Sequence, residues 1–328
     1  MSPRVEFDLN KLRENIVELK RRTNNIEFLF PVKCCNQTDV LNIIVDNEFG
    51  FDISNKNEYD LIKKYLNGQF LSVSSPLSYE LEDCRYKNIH IVSNNLGTYK
   101  EENGIRINFN SNEKFGFSRF GIDYKKIKSE LKSKIKYIHF HNSDYRDLEK
   151  CNDIYEELKN VIKEFPKLEI LNIGGHLEDL SFEDGIDYLN KVRNIIPQNI
   201  KLIVEVGDFL FKDVGKLYCK VVDVCLDDNK QIATLNFSKM ANQRWAYPIY
   251  INHTSSDSIQ TIFYGCSCCE TDLYLETRAG KLKIGDEIVF SNISPYSYQW
   301  NTSFNGVNLM EYNFNMIITG LNPWTFSP

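Results

Sequence analysis

The sequence has no apolar stretch approaching the about 20 residues needed to cross a bilayer; its longest apolar runs are strand-sized. It has no excess of positive charge. Its 39 Lys and Arg against 45 Asp and Glu leave a net charge of −6, which argues against a nucleic-acid surface and gives no reason to expect an anionic membrane as partner. The first residues, Met1-Ser2-Pro3-Arg4-Val5-Glu6, lack the apolar region of an export signal, so export is not expected. There is no internal repeat, no low-complexity tract and no linker rich in Pro, Gly or Ser. The nine cysteines, an odd number in unrelated contexts, therefore read as reduced thiols of a cytoplasmic protein rather than as a disulfide framework. What is present is bulk. A chain of 328 residues with 42% hydrophobic content can bury one large core and a smaller one.

Up to about residue 210 the pattern alternates. Eight short apolar or β-branched runs follow one another: Phe28–Lys33, Phe49–Ile53, Phe70–Ser74, Ile89–Ser93, Ile105–Phe109, Tyr137–His141, Leu168–Ile173 and Lys201–Val206. Most precede a stretch of helical periodicity, such as Val40, Leu41, Ile43 and Ile44 after the first. The connections after the third, fourth and fifth runs are thin. Alternation of this kind gives a parallel sheet, and eight units suggest a closed (β/α)₈ barrel over residues 1–210; an open doubly wound sheet is the alternative. From about residue 211 to 328 the runs Val214–Asp227, Gln231–Phe237, Gln260–Tyr264 and Ile284–Ser291 have no helices between them. They predict a mostly antiparallel β domain.

The residues at the ends of the barrel strands carry the chemical content, because barrels build their sites at that face. Lys33 ends an apolar strand. Desolvation there favours the neutral amine and makes it a candidate Schiff-base former; the other reading is a strand-end lysine reaching solvent. Glu205 ends the very apolar run Leu202-Ile203-Val204, where a carboxylate needs a cationic partner or a proton; a salt bridge inside the barrel would serve as well as a ligand. His139 and His141 share one face of their strand. Each is either a flat ring available for stacking or a hydrogen-bonded core histidine. Gly174-Gly175-His176, between a strand and a helix, suits an anion held by backbone N–H groups, or a tight turn. Cys266-Ser267-Cys268-Cys269 lacks the spacing of a zinc site, and no metal is expected.

In this order and spacing the motifs resemble those of the fold type III pyridoxal-phosphate (PLP) decarboxylases, the family of ornithine, diaminopimelate and carboxynorspermidine decarboxylases. Phe30-Pro31-Val32-Lys33 is similar to the family's lysine motif, and Phe51-Asp52-Ile53-Ser54 with Glu58 to its Asp…Ser-x-x-x-Glu segment. Arg106-Ile107-Asn108, followed by Arg119-Phe120-Gly121, resembles its Arg-Ile-Asn and Arg-Phe-Gly pair. His139-Phe140-His141-Asn142 and Asn172-Ile173-Gly174-Gly175-His176 resemble most the carboxynorspermidine branch. Glu205-Val206-Gly207 stands where the family has Glu-Pro-Gly. Gly265 to Asp272 resembles Gly-Pro-Thr-Cys-x-x-x-Asp, and Tyr296 precedes Phe304-Asn305-Gly306 as in the family's closing motifs.

The resemblance implies an enzyme: a carboxy-lyase of the alanine-racemase-like fold that removes CO₂ from an amino acid or a carboxylated polyamine such as carboxynorspermidine or carboxyspermidine. Lys33 would bind PLP, His141 would stack on its ring and Glu205 would pair with its pyridine nitrogen. Asp52 and Arg106 would line the cofactor, while Gly174, Gly175, Tyr296 and Ser143 would hold its phosphate. Cys268 would reach the other subunit's site in a homodimer and deliver a proton, with Cys269, Glu270 and Asp272 beside the substrate. The chain departs from the family in four ways. The glycine run is two residues long; Asp208 stands where ornithine decarboxylase has a phosphate-binding arginine; Cys269 replaces the aspartate that binds ornithine's distal amine; and the chain is short. The short chain also suggests a tailoring decarboxylase acting on a carboxy-aminopropyl group of a natural product. An inactive regulatory homologue is an alternative of another class. A racemase is disfavoured because Glu205, not a cation, faces the pyridine nitrogen.

Overall fold

A computed structural model of the chain describes residues 2–109, 119–141, 151–177, 179–227, 230–245, 247–251 and 258–316. The chain opens with a strand, β1 (Arg4–Asp8), and a helix, α1 (Leu9–Arg22). It folds into two compact units: Ile16–Leu210, and a second one made of Met1–Asn15 with Phe211–Pro328.

The first unit contains β2 (Ile26–Pro31), β3 (Gly50–Ile53), β4 (Leu71–Val73), β5 (Ile89–Ser93), β6 (Gly104–Asn108), β7 (Ile122–Asp123), β8 (Tyr137–Phe140), β9 (Ile170–Asn172) and β10 (Lys201–Glu205). Eight of them form a ring in the order β2, β3, β4, β5, β6, β8, β9, β10, closed by pairing of β10 with β2; β7 adds to β6 outside the ring. Every pairing is parallel. The eight strands expected from the apolar runs are thus the eight staves of a closed barrel, and the open-sheet alternative falls. The interior fills with large side chains, as a barrel of this size requires: Leu29, Phe70, Val92, Tyr137 and Ile203 form one buried cluster. Gly104 makes room for Tyr137, since a Cβ there would lie 2.5 Å from the ring.

Helices α2 (Thr38–Asp46), α3 (Lys56–Ile62) and α6 (Phe182–Ile195) start at polar caps. Gln37 accepts from the backbone N–H groups of Asp39 and Val40, Asn55 from Glu58 and Ser181 from Asp184, replacing bonds that a helix start cannot make internally. Among the described residues the thin connections hold 3₁₀ turns, the short strand β7 and a single-turn helix, α4 (Ser129–Lys132), before the barrel resumes with β8 and α5 (Cys151–Glu164).

The second unit is built on the long strand β11 (Gly215–Asp227), joined by β12 (Lys230–Leu235), β13 (Ile249–Tyr250), β14 (Ile259–Tyr264), β15 (Leu273–Ala279), β16 (Glu287–Ser291) and β17 (Glu311–Asn315), with two short helices, α7 (Lys239–Asn242) and α8 (Tyr296–Trp300). Most pairings are antiparallel, but β1 with β17 and β12 with β14 run parallel. The boundary after residue 210 coincides with the change in sequence texture. The first fifteen residues, expected in the barrel, instead group with the β unit. The reason is hydrogen bonding and packing: β1 pairs with both β11 and β17, and its buried Phe7 stacks on Phe314 with ring centres 4.7 Å apart.

Candidate active site

The C-terminal ends of the barrel strands gather Asp52 from β3, Arg106 from β6, His139 from β8, Asn172 from β9 and Glu205 from β10, with Lys33, His141, Gly174 and Gly175 just past their strands. Arg106, His139 and Asn172 occupy successive rungs of three neighbouring strands, so their side chains point to one face.

Glu205 is at the centre of this group and only 3% exposed. Its Oε1 lies 3.0 Å from His139 Nε2 and accepts from Asn172 Nδ2, also at 3.0 Å. Among the described residues its Oε2 receives no hydrogen bond. Burial opposes the Glu205 charge, but the hydrogen-bonded His139 ring and the positive charge of Lys33 outweigh it and hold the carboxyl below the usual carboxylate range. Burial acts the other way on His139, keeping its imidazole below the ordinary value despite the neighbouring carboxylate. In this pair His139 meets the Glu205 carboxyl through Nε2. Its Nδ1 is buried without a partner. Asn172 Nδ2 also donates to Tyr137 Oη at 3.3 Å, and its Oδ1 accepts from Gly174 N at 2.8 Å, which ties the carboxylate to the glycine turn.

Asp52, 1% exposed, accepts from Ser74 Oγ at 2.9 Å through Oδ1. Its Oδ2 has no hydrogen bond and lies 3.9 Å from Lys33 Nζ. Burial, and then the nearby charge of Glu205, push the Asp52 carboxyl well above its ordinary value, so the two buried carboxyls of this mouth are shifted in opposite directions. Lys33 itself is about half exposed at 46%, which fits an amine reaching the open end of the barrel. Arg106 lies over the Phe120 ring at 4.7 Å.

The glycine turn needs glycines. Gly174 has φ +66°, and a Cβ there would lie 2.7 Å from both His141 Nδ1 and the Phe140 carbonyl oxygen. At Gly175 a Cβ would meet the Glu205 carbonyl oxygen at 2.6 Å. Gly175 N donates to His141 Nδ1 at 3.2 Å, fixing that ring beside the turn. Ser143 lies outside the described residues.

The remaining expected residues belong to the β unit. Cys268 is exposed, and its backbone N–H donates to Asn305 Oδ1 at 3.0 Å. Cys269 is half-buried and Glu270 exposed. Asp272 is fully buried, accepting from Met240 N at 3.2 Å and Ser267 N at 3.1 Å. Its carboxylate pins the Gly265–Asp272 loop rather than opening toward solvent. Tyr296, on α8, meets Trp245 edge to face with ring centres 5.5 Å apart. His139 takes the hydrogen-bonded core position that was one of its two readings, and Asn172 appeared in the sequence only as part of the glycine motif. Ser74 was not singled out.

No protein-family model matches the chain. Two characterised proteins align with it almost end to end. One is ornithine decarboxylase 2 of Drosophila melanogaster, 24% identical over 94% of this chain and 90% of the relative. The other is the carboxynorspermidine/carboxyspermidine decarboxylase of Campylobacter jejuni, 24% identical over 94% and 91%. The fold is shared with the arginine decarboxylase of Paramecium bursaria Chlorella virus bound to agmatine, at a TM-score of 0.75, 18% identity and 96% coverage of both chains. It is also shared with a mutant of SrLDC in complex with PLP, at a TM-score of 0.76, 16% identity and coverage of 95% and 91%.

The residues present fit PLP on their own geometry. Among the described residues Glu205 offers one oxygen that accepts no hydrogen bond and Asp52 one beside an amine, and the turn between them admits no side chain at Gly174 or Gly175. Over nearly its whole length the chain is similar in sequence to these two decarboxylases, and it shares the fold of the decarboxylases of known structure.

Proposed function

We propose that the protein removes the α-carboxylate of an amino acid or a carboxylated polyamine as CO₂ and releases the corresponding amine, with Lys33 and Glu205 as the centre of its site. The observation that carries this reading is the buried Glu205, held by His139 and Asn172 through one oxygen while, among the described residues, the other accepts nothing. A buried carboxylate in that state is matched to a cationic N–H. Bound PLP supplies the electron sink for the pair of electrons left when CO₂ departs. The chain's own residues do the rest. Lys33 would hold the cofactor aldehyde and Glu205 would face its pyridine nitrogen. The His141 ring, fixed by Gly175 N, would lie against the cofactor. Gly174, Gly175 and Ser143 would hold the phosphate, a role we also propose for Tyr296, while Arg106 and Asp52 would set the charge around Lys33. Cys268 of a second subunit returns a proton to the substrate carbon, and this role makes the homodimer part of the proposal.

For the substrate, we favour carboxynorspermidine or carboxyspermidine. The Campylobacter jejuni relative is named for these two substrates, and Cys269 leaves no acidic group where ornithine's distal amine would need one. The test is CO₂ release by the purified protein from carboxynorspermidine, carboxyspermidine, ornithine, lysine and arginine. Turnover of the first two with little of the others supports the assignment. Turnover of ornithine alone overturns the substrate but not the reaction, and no release from any overturns the reaction.

A further inference from the structure

His139 has no role in the proposed chemistry, yet it is 1% exposed and bonded to the buried Glu205 carboxyl. We infer that His139 is a positioning residue that holds Glu205 as a neutral Nε2–H donor, so that the carboxylate's charge stays unspent for the cofactor; this rests on the PLP reading above. Three observations carry it. The Nε2–Oε1 distance of 3.0 Å is that of a hydrogen bond, and Asn172 donates to the same oxygen, so both protein donors converge on Oε1 and turn Oε2 outward. The opposite ring nitrogen, Nδ1, is buried with no partner. A second N–H at that position would be a buried donor without an acceptor, which disfavours the imidazolium. Finally, the charges facing the ring are mixed. Arg106 on β6 and Lys33 beyond β2 oppose a positive His139, and Glu205 on β10 favours one; the buried Asp52 carboxyl on β3 is pushed well above its ordinary value. Were His139 cationic, Glu205 would be neutralised within the protein, and little charge would remain to hold a proton on the pyridine nitrogen.

The arrangement follows the way a second ring of hydrogen bonds fixes and tunes the group that touches a cofactor. It also separates two roles for adjacent histidines of one strand. His139 points into the barrel and sets Glu205, while His141, two residues on, receives the Gly175 N–H and sits at the glycine turn.

The test uses the full chain, with and without PLP, labelled with ¹⁵N at histidine. Five histidines keep the spectrum simple, and His139→Gln identifies the signal by its loss. The expected result is a neutral Nε2–H ring from about pH 6 to about pH 8 in both states, whereas an imidazolium over that range overturns the inference. Two variants complete it. His139→Gln keeps an N–H donor near Nε2 and cannot ionise; His139→Leu removes the donor. Glutamine should leave the PLP dissociation constant and kcat within about threefold of the parent, while leucine should weaken PLP binding and lower kcat by about tenfold or more. Equal losses in both variants mean that the imidazolium is needed, and no loss in leucine means a packing role; each result overturns the inference. The failure of the PLP reading looks different: the unaltered protein would then develop no visible band with PLP, whatever the state of His139.

Discussion

Lys33 Nζ lies 3.9 Å from Asp52 Oδ2, the oxygen of that buried carboxyl that receives no hydrogen bond. Because burial and Glu205 raise the Asp52 carboxyl, Asp52 binds its proton more tightly in the fold than in the unfolded chain. The stability it contributes is fully present below the ordinary aspartate value of 3.8 and is lost as pH rises through the raised value. Asp52→Asn keeps an acceptor for Ser74 and removes the titration. Between about pH 4 and about pH 8 the stability of the cofactor-free variant relative to the parent should improve by about 1–3 kcal/mol, measured by chemical denaturation. A difference that does not change with pH contradicts the assignment of the proton to Asp52.

Glu205 has the opposite sign. Its lowered value gives stability that is present above the unfolded glutamate range and lost as pH falls through the folded one. Glu205→Gln removes the anion while leaving Lys33 untouched. The variant should still develop a visible band with PLP but lose about 10²-fold or more in kcat, since the pyridine nitrogen no longer faces a charge. Steady-state kinetics beside absorbance titration separates the two effects; parent-like kcat would remove Glu205 from the chemistry.

Gly174 and Gly285 both have positive φ, at +66° and +92°, but only Gly174 is crowded. Gly285→Ala meets nothing within 4 Å and should cost only the conformational term, about 1 kcal/mol. Gly174→Ala adds clashes with His141 and the Phe140 carbonyl oxygen and should cost about 2–4 kcal/mol together with PLP affinity. Thermal unfolding and PLP titration of the two variants check this. Equal effects would mean that the turn has room for a side chain.

Cys268 and Asp272 share a loop but differ in kind. Cys268 is exposed, so Cys268→Ala should leave stability within about 0.5 kcal/mol and lower kcat by about 10²-fold. Asp272 accepts two backbone N–H groups in full burial, so Asp272→Ala should cost about 2–4 kcal/mol by leaving those donors unmet. Unchanged kcat in Cys268→Ala would take the thiol out of the proton step.

The barrel was legible because each stave is a short, dense run of β-branched and aromatic residues, and a parallel barrel buries both faces of such runs. Lys33, Asp52 and Glu205 stood out because a charged group ending an apolar run needs a reason to be there. The allegiance of β1 was carried only by the alternation of Val5 and Phe7, five residues whose partners in β11 and β17 lie at the far end of the sequence. The His139–Glu205 bond joins residues 66 positions apart through the stagger of the barrel strands, which no local pattern encodes. Asp272 read as a substrate group because an acidic side chain in a motif loop gives no sign, in sequence, that backbone amides will claim it.

The most direct test of the account is the absorbance spectrum of the purified protein with PLP beside that of Lys33→Ala. The account predicts a visible band in the parent, discharged by borohydride onto Lys33 and missing from the variant, with kcat lowered by at least about three orders of magnitude. A parent protein that develops no such band, or a variant that keeps it, would contradict the claim that Lys33 holds the cofactor.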